Sequence, residues 1–229
     1  MEKYCVKYSM ALTVIGQGKQ FGLKIAKEIF EISKSDFENN DNFVLLINDY
    51  LNGKITYENT ENKLFNNLVA EFRTKGISDW SIIGTFLGRE NIFKIFNHVQ
   101  DDLTDKDYWI VLGECYIMSS FSHSTHELIK TFFNSDRPDK LRIMTEEEKL
   151  EFDSLPNEIK IYRGCSEQEI KSENFRFSWT TKKSVAHFFA NRSKTMHGIK
   201  SSVVTRTIKK EEVFAYFNRR NEFEIIYFQ

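Results

Sequence analysis

The feature that most constrains the fold is a change in the hydrophobic pattern at Pro156. Before this residue, apolar side chains recur near a 3.6-residue period, as at Phe21, Ile25 and Ile29, which is typical of amphipathic helices. After it, short runs rich in β-branched and aromatic residues alternate with polar turns, which is typical of strands. The sequence therefore predicts an α+β fold in which a helical N-terminal part packs on a β-rich C-terminal part.

The helical part carries recognisable boundary signals. Ser78 is placed to cap a helix that Gly88 ends, and Thr145 with Glu148 matches a capping box. The run of three glutamates at residues 146–148 suits the first turn of that helix, where the helix dipole favours negative charge. We expect helices over residues 19–33, 63–73, from the Ser78 cap to 87, one or two within 105–133, and a short one before 156.

The pattern after Pro156 predicts five strands and one helix. The helix is capped by Thr180 or Thr181, ends before Asn191, and has Val185, Phe188 and Phe189 as its apolar stripe. The strands are expected over residues 159–162, 175–179, 202–208, 213–217 and 222–228.

Composition limits the partners and the compartment. The 229 residues, 41% apolar and 28% charged, suit one large globular domain or a domain with an extension. A net charge of −1 gives no global field toward nucleic acid or anionic lipid, so protein is favoured as the partner. Three scattered cysteines form no disulfide framework, and no run approaches the roughly 18 apolar residues of a membrane span. We expect a cytoplasmic protein, in its producer or in a host cell, without membrane association.

Two further motifs are interpreted as structural. Gly16, Gly18 and Gly22 precede a helix, but their spacing differs by one residue from the Rossmann fingerprint, which favours an ordinary glycine-containing loop. His123 and His126 have no third ligand at a spacing familiar from zinc sites. They are interpreted as part of a polar turn, and no metal site is predicted.

Three motifs in the β-rich part point to chemistry. Arg163-Gly164 follows a strand, where a guanidinium can hold a pyrophosphate or carboxylate and a glycine lets a ligand approach the backbone. Ser178 and Thr180 place two hydroxyls on one face of the next strand, because alternate residues point the same way. The sequence Glu222-Phe223-Glu224 likewise places two carboxylates on one face of the last strand. Two like charges so close are costly, which chemistry can use.

In this order and context, the three motifs resemble the Arg-Ser-Glu class of mono-ADP-ribosyltransferases, which includes cholera-like and clostridial toxins and small bacterial or phage-encoded enzymes. The resemblance covers about residues 157–229 and implies a mixed β-sandwich. It implies that NAD is the substrate, with Arg163 on its phosphate and ribose and the Gly164 backbone on the nicotinamide carboxamide. It further implies that Ser178 orients Glu224 and that Thr180 supports it.

The two glutamates receive different roles from the resemblance. Glu224 would be the catalytic residue that stabilises an oxocarbenium-like transition state, and Glu222 the acceptor-side residue, which favours arginine as the target. The middle residue of Ser-Trp-Thr departs from the family's Ser-Thr-Ser pattern, although both outer hydroxyls are kept.

Two loops are expected beside this site. Arg192 begins a segment that in the family lies over the phosphates, so it is a candidate cofactor contact, the alternative being a mobile surface loop. Residues 216–220 correspond to the family's target-recognition loop. Within it, Arg219-Arg220 could equally form a solvated turn that neutralises the glutamates.

The resemblance also divides the chain and leaves the function with alternatives. Residues 1–60 would be a helical N-terminal extension, and 61–229 the transferase domain, with a helical half at 61–155 and a β-rich NAD-binding half at 156–229. The expected function is transfer of ADP-ribose from NAD to a macromolecule, most of all protein arginine, with an antitoxin or host target as a further partner. The alternatives are a toxin that hydrolyses NAD or modifies RNA or DNA, and an inactive binding protein with the same fold.

Overall fold

A computed structural model of the chain describes residues 2–37, 42–75, 80–119 and 123–228. The structure is mixed α+β, and helix predominates. The Ser78 cap lies outside the described residues. The helices are α1 (Glu2–Phe21), α2 (Leu23–Ser33), α3 (Asn42–Leu51), α4 (Tyr57–Lys75), α5 (Trp80–Leu87), α6 (Ile92–Val99), α7 (Asp105–Met118), α8 (His123–Phe133), α9 (Glu146–Ser154), α10 (Glu167–Ser172) and α11 (Lys183–His197). The strands are β1 (Glu158–Ser166), β2 (Ser178–Thr180), β3 (Ser201–Lys209), β4 (Ala215–Phe217) and β5 (Glu224–Ile226).

The contacts within the chain define two compact units. The first consists of residues 1–104 and 114–133, and the second of residues 105–113 and 134–229. Neither unit is bounded at residue 60 or 61, so the limits expected for a transferase domain stay a prediction. Among the described residues, the first unit contains helices without strands, and the second contains the sheet.

The glycine-containing loop expected near the N-terminus is instead mostly helix. Gly16 and Gly18 lie inside α1. Of the three glycines, Gly22, with φ of 94°, is the one that interrupts the helical conformation, between α1 and α2. A Cβ at Gly18 would lie 2.7 Å from the Tyr50 hydroxyl oxygen, so the missing side chain lets α1 approach α3 closely. Because Gly22 has a positive φ, the helix predicted over residues 19–33 is divided there between α1 and α2.

Other helix predictions are confirmed in place. The long apolar segment after residue 105 forms two helices, α7 and α8, and Gly88, with φ of 87°, follows the end of α5. The capping box is present, since Thr145 accepts from the Glu148 amide and the Glu148 carboxylate accepts from the Thr145 amide. The polar turn expected around residue 126 is wrong, because His123 and His126 both belong to α8; the side chain of His123 is not among those described.

The second unit is built on one antiparallel five-stranded sheet, in the order β3-β1-β2-β5-β4 among the described strands. The longest pairing joins β1 to β3 from Glu158 opposite Lys209 to Ser166 opposite Ser201. Trp179 of β2 lies opposite Ile225 of β5, and both side chains are buried. The part of the chain described forms a single open antiparallel sheet and no second sheet. The mixed sandwich that the resemblance implied therefore stays a prediction.

The ends of the strands differ from the sequence prediction where the backbone turns. The last strand begins at Glu224 rather than at Glu222, because Phe223 adopts a left-handed conformation with φ of 49° that a strand does not allow. The second strand is likewise confined to Ser178–Thr180. Glu222 therefore lies in the turn that leads into β5, and the expectation of two glutamates on one strand face is wrong in this respect.

Helix α11 packs on β1 through small residues. A Cβ at Gly164 would lie 2.5 Å from the Ala186 carbonyl oxygen and 2.6 Å from the Ala190 amide nitrogen. Ala186 and Ala190 form the buried stripe of the helix, whereas Phe188, predicted to be buried, is 60% exposed. The small side chains of Ala186 and Ala190 let the helix backbone come this close to the strand, while Val185 and Phe189 of the predicted stripe are half-buried.

No helix within the described ranges combines the length and the apolar character needed to cross a bilayer.

Candidate functional site

The centre of the site is a carboxylate held between two neighbouring strands. Glu224 begins β5 and lies opposite Thr180, while Ser178 lies two residues along on β2. The Ser178 hydroxyl donates a hydrogen bond to Oε1 of Glu224, and Glu224 is buried. A buried carboxylate needs such partners, because burial without them would cost several kcal/mol. The structure thus brings together the serine and glutamate that the resemblance paired.

A guanidinium completes the surroundings of this carboxylate. Nη2 of Arg220 lies 2.8 Å from Oε2 of Glu224 and 3.0 Å from Oε2 of Glu222. The same nitrogen therefore contacts both glutamates of the Glu-x-Glu motif. Of the two arrangements left open for Arg219 and Arg220, the structure shows neutralisation of the glutamates by Arg220, although its side chain is only 29% exposed rather than fully solvated.

Glu222 is positioned through its backbone. Its carbonyl oxygen accepts a hydrogen bond of 2.7 Å from the Thr180 hydroxyl, which in turn accepts one of 3.0 Å from the Lys182 amide. Burial raises the pKa of the Glu222 carboxyl above its usual value; the charge of Arg220 opposes the shift, and the charge of Glu224 adds to it. Thr180, expected to support the cofactor site, here fixes the turn that carries Glu222.

Arg163 is engaged by protein groups. Its Nη1 donates to the Ser178 carbonyl oxygen at 2.5 Å, and its Nη2 lies 3.0 Å from Oε1 of Glu169. Burial would raise the pKa of Glu169, but the charge and hydrogen bonds of Arg163 and the Ser166 amide outweigh it and hold this pKa below the usual value. Arg163 thus holds the backbone carbonyl of Ser178, the residue whose hydroxyl contacts Glu224.

The donor set can be tested against NAD on one observation. Nε of Arg163 is buried and makes no hydrogen bond, although a buried guanidinium N–H is normally satisfied. An anionic oxygen of a bound dinucleotide is the kind of acceptor that would satisfy it. Binding of an NAD phosphate at Arg163 stays a prediction, and the other contacts of this guanidinium, to Ser178 and Glu169, are already made.

The remaining cofactor candidates are Gly164, which lies on β1, and Arg192, which lies on helix α11. The space beside Gly164 is filled by the backbone of α11, so the close approach predicted there is made by a helix. The contact of the Gly164 backbone with nicotinamide stays a prediction. Arg192 lies within α11 and is exposed, not in the loop expected after the helix, because the helix continues to His197. The positive charge of Arg192 slightly opposes the rise that burial produces in the pKa of Glu222.

The turn that carries these groups is tied to helix α9. Oε1 of Glu148 accepts from the Asn218 amide at 2.9 Å and from Nε of Arg219 at 3.2 Å. Oε2 of Glu151 accepts from the Tyr216 hydroxyl at 2.7 Å and from the Asn218 side chain at 2.9 Å. The target-recognition loop expected at residues 216–220 is therefore held by two glutamates one helical turn apart.

Sequence reasoning missed the carboxylates that support the site. The sequence pattern predicts only a capping and dipole role for Glu148, and it predicts no role for Glu169. A signal for Glu169 was present, because Ser166 and Glu169 form a second capping box, which places a carboxylate just after β1. Nothing in the sequence indicated that these carboxylates would turn toward Arg163 and Arg219, since those contacts span separate elements.

No family model, no curated protein and no solved structure matches this chain.

Proposed function

We propose that the protein is an NAD-dependent mono-ADP-ribosyltransferase that transfers ADP-ribose to a macromolecule, with protein arginine as the favoured acceptor. One observation carries the proposal: the Ser178 hydroxyl bonds Glu224 across two strands, while Glu224 and Glu222 converge on one guanidinium nitrogen. A buried, serine-oriented carboxylate beside a second carboxylate suits a reaction that creates positive charge and then removes a proton.

Glu224 suits the first half of such a reaction. Cleavage of the bond between nicotinamide and ribose builds positive charge on C1′ in an oxocarbenium-like transition state. A carboxylate that is already desolvated and oriented stabilises this charge without reorganising water around it. Glu224 is 4% exposed and its Oε1 is fixed by Ser178, so its second oxygen would face the ribose once Arg220 moved or shared it.

Glu222 suits the second half. Burial raises the pKa of its carboxyl, and a base with a higher pKa accepts a proton more readily. An acceptor guanidinium has to lose a proton as its nitrogen attacks C1′, because it is protonated at neutral pH. Glu222 already lies 3.0 Å from such a nitrogen, that of Arg220, which supports a guanidinium as the acceptor group.

The proposal extends to the substrate side, the fold and the setting. Arg163 would hold a phosphate of NAD through its buried Nε, and Gly164, Thr180 and Arg192 would be further cofactor contacts. The antiparallel sheet would be one half of a transferase-type sandwich. The net charge of −1 favours a protein acceptor over a nucleic acid, in the cytoplasm of the producing cell or of a host, where the protein would act as a toxin or effector and meet its target or an antitoxin.

Transfer of label from radioactive NAD to proteins of a cell lysate tests the proposal. The wild type should label at least one protein, and Glu224→Gln should abolish the labelling. Glu222→Gln should lower transfer by about 10²- to 10⁴-fold while sparing NAD hydrolysis, as expected on loss of a general base. Glu211→Gln, which changes a carboxylate whose side chain is 76% exposed, is the matched control and should behave as the wild type.

Two outcomes would favour the alternatives. Label that nuclease removes and protease does not would point to modification of RNA or DNA, and release of nicotinamide without any labelled acceptor would point to hydrolysis. If the protein neither turns over NAD nor binds it in calorimetric titration, a transferase is ruled out and a binding role stands.

A further inference from the structure

The contact between Arg220 and the two glutamates goes beyond ordinary charge neutralisation. Its Nη2 lies 2.8 Å from Oε2 of Glu224 and 3.0 Å from Oε2 of Glu222, which are the two carboxylates assigned to opposite halves of the transfer reaction. The guanidinium of an external arginine would have to reach this same position to be deprotonated by Glu222 and to attack a sugar oriented by Glu224. Arg220 thus occupies the acceptor position from within the chain.

The position of Arg220 is set by a restrained turn. Asn218 and Arg219, which precede it, are held by Glu148, while the carbonyl of Glu222, which follows it, is held by Thr180. The carbonyl of Phe223 accepts a further hydrogen bond of 3.0 Å from the Thr181 amide. A guanidinium on a turn fixed at both ends keeps its orientation, and such preorganisation is what makes an intramolecular reaction fast.

We propose that Arg220 is itself an acceptor, and that the protein ADP-ribosylates this arginine in cis when no external guanidinium displaces it. The inference rests on the proposed function, since it requires that the site cleave NAD. It assigns a modification site to a particular residue and predicts that occupancy by Arg220 competes with the external acceptor.

Transfer to Arg220 replaces the C1′–N bond of nicotinamide by a C1′–N bond to the guanidine. The C1′–N bond to nicotinamide breaks, and its electron pair stays on the ring nitrogen, so that neutral nicotinamide leaves. The lone pair of Nη2 forms the new bond to C1′, on the path that the carboxylate of Glu224 stabilises. The proton released from Nη2 passes to the carboxylate of Glu222 and then to water. The products are ADP-ribosyl-Arg220, nicotinamide and one proton, and no other reactant is needed.

Exposure does not explain a preference for Arg220. Arg142 is more exposed, at 42% of its side chain, and pairs with Asp139 at 3.4 Å. Arg219, the residue before Arg220, directs its guanidinium to Glu148 and to the Ile143 carbonyl oxygen, away from the Glu-x-Glu pair. If labelling followed exposure, Arg142 would be modified before Arg220, whereas the geometry assigns the modification to Arg220.

The first test is incubation of the purified full-length protein with NAD alone, followed by peptide mass spectrometry. The expected result is one ADP-ribose group on Arg220, at a rate per molecule that does not change with protein concentration. Arg220→Lys keeps a positive charge but lacks a guanidine, so it should lose the label, while Arg142→Lys should keep it. Label on other arginines with Arg220 unmodified, or a rate that rises with protein concentration, would overturn the proposal.

The second test needs no NAD. Agmatine, a small guanidine, is titrated into the wild type and into Arg220→Gln in a calorimeter, with circular dichroism to verify that the variant is folded. Because Arg220 blocks the acceptor position, the variant should bind agmatine at least about tenfold more tightly. Equal affinity for the two proteins would overturn the proposal.

Failure of this inference can be told apart from failure of the proposed function. If the wild type with NAD labels agmatine or lysate proteins but not Arg220, the transferase activity stands and the cis acceptor does not. If nicotinamide is never released in the presence of any acceptor, the proposed function fails, and the modification of Arg220 fails with it.

Discussion

Replacing Glu148 by glutamine should loosen the turn that carries Arg220 and Glu222. Glu148 is buried and uses both carboxylate oxygens: Oε2 accepts from the Thr145 amide at 2.9 Å, and Oε1 accepts from Asn218 and Arg219. Glutamine has one acceptor oxygen and one NH₂ group. It can satisfy either the capping box or the turn, and the other set of N–H donors then faces another donor.

The expected loss follows from these contacts. A hydrogen bond to a charged group contributes about 1.5–3 kcal/mol and a neutral one about 0.5–1.5 kcal/mol, so neutralising Glu148 weakens every bond it keeps. Complete removal of one partner of a buried ion pair costs about 3–5 kcal/mol. The Arg219 side chain is 20% exposed and keeps its bond to the Ile143 carbonyl, so the loss should lie at the lower end of that range or somewhat below it. We expect Glu148→Gln to lower the free energy of unfolding by about 2–4 kcal/mol.

Urea unfolding followed by tryptophan fluorescence measures this loss. The matched control is Glu147→Gln, which removes an exposed carboxylate from the same helical turn and should cost only the dipole contribution of about 0.3–1 kcal/mol. Tryptic cleavage after Arg219 or Arg220 should also become faster in Glu148→Gln, because local opening of the turn becomes easier. If the two variants differ by less than about 0.5 kcal/mol and are cleaved equally fast, Glu148 does not anchor the turn.

Two further predictions address α11 and Glu222. Gly164→Ala should lower the free energy of unfolding by about 1–3 kcal/mol, because the new Cβ meets the backbone of Ala190. Gly16→Ala, in α1 with no atom within 4 Å of the new Cβ, should be neutral or stabilising. Chemical denaturation of both variants separates overpacking at Gly164 from an effect common to any glycine-to-alanine change. The raised pKa of Glu222 means that the folded state holds its proton more tightly than the unfolded chain does, so its contribution to stability is present below the usual glutamate pKa and declines as the pH rises through the folded value. Glu222→Gln should remove that decline, and unfolding curves of both proteins between pH 4 and pH 7 measure it; parallel curves would show that the carboxyl is not perturbed.

Local sequence signals predicted the elements whose formation depends on near neighbours. The capping box at Thr145, the stop at Gly88 and the change of pattern at Pro156 are each set by residues within a few positions, and the structure confirms the corresponding elements. Gly18 and Gly164 show where such signals fail. The sequence predicts a loop at Gly18 and the approach of a ligand at Gly164. In the structure, Gly18 makes room for Tyr50 of α3, and Gly164 makes room for the backbone of α11.

The candidate site could be predicted in part for the same reason. The pairing of Ser178 with Glu224 follows once β2 and β5 are neighbours, because residues of adjacent strands that share a face lie within reach of one another. The contacts of Arg163 with Glu169 and of Arg219 with Glu148 depend on side-chain directions in turns, which no periodicity encodes. The resemblance thus paired Ser178 with Glu224, whereas no pattern in the sequence predicted the carboxylates that contact Arg163 and Arg219.

The left-handed backbone at Phe223 connects these observations. A bulky residue at φ of 49° carries a cost of about 1–3 kcal/mol, and a conformation of this kind persists only where its surroundings fix it. Here the Phe223 amide donates to the Asn218 side chain and its carbonyl accepts from the Thr181 amide, so that both ends of the strained residue are held. In a regular strand, Glu222 and Glu224 would project in parallel from one face. The turn at Phe223 instead leads into an arrangement in which both carboxylates contact one guanidinium nitrogen, that of Arg220.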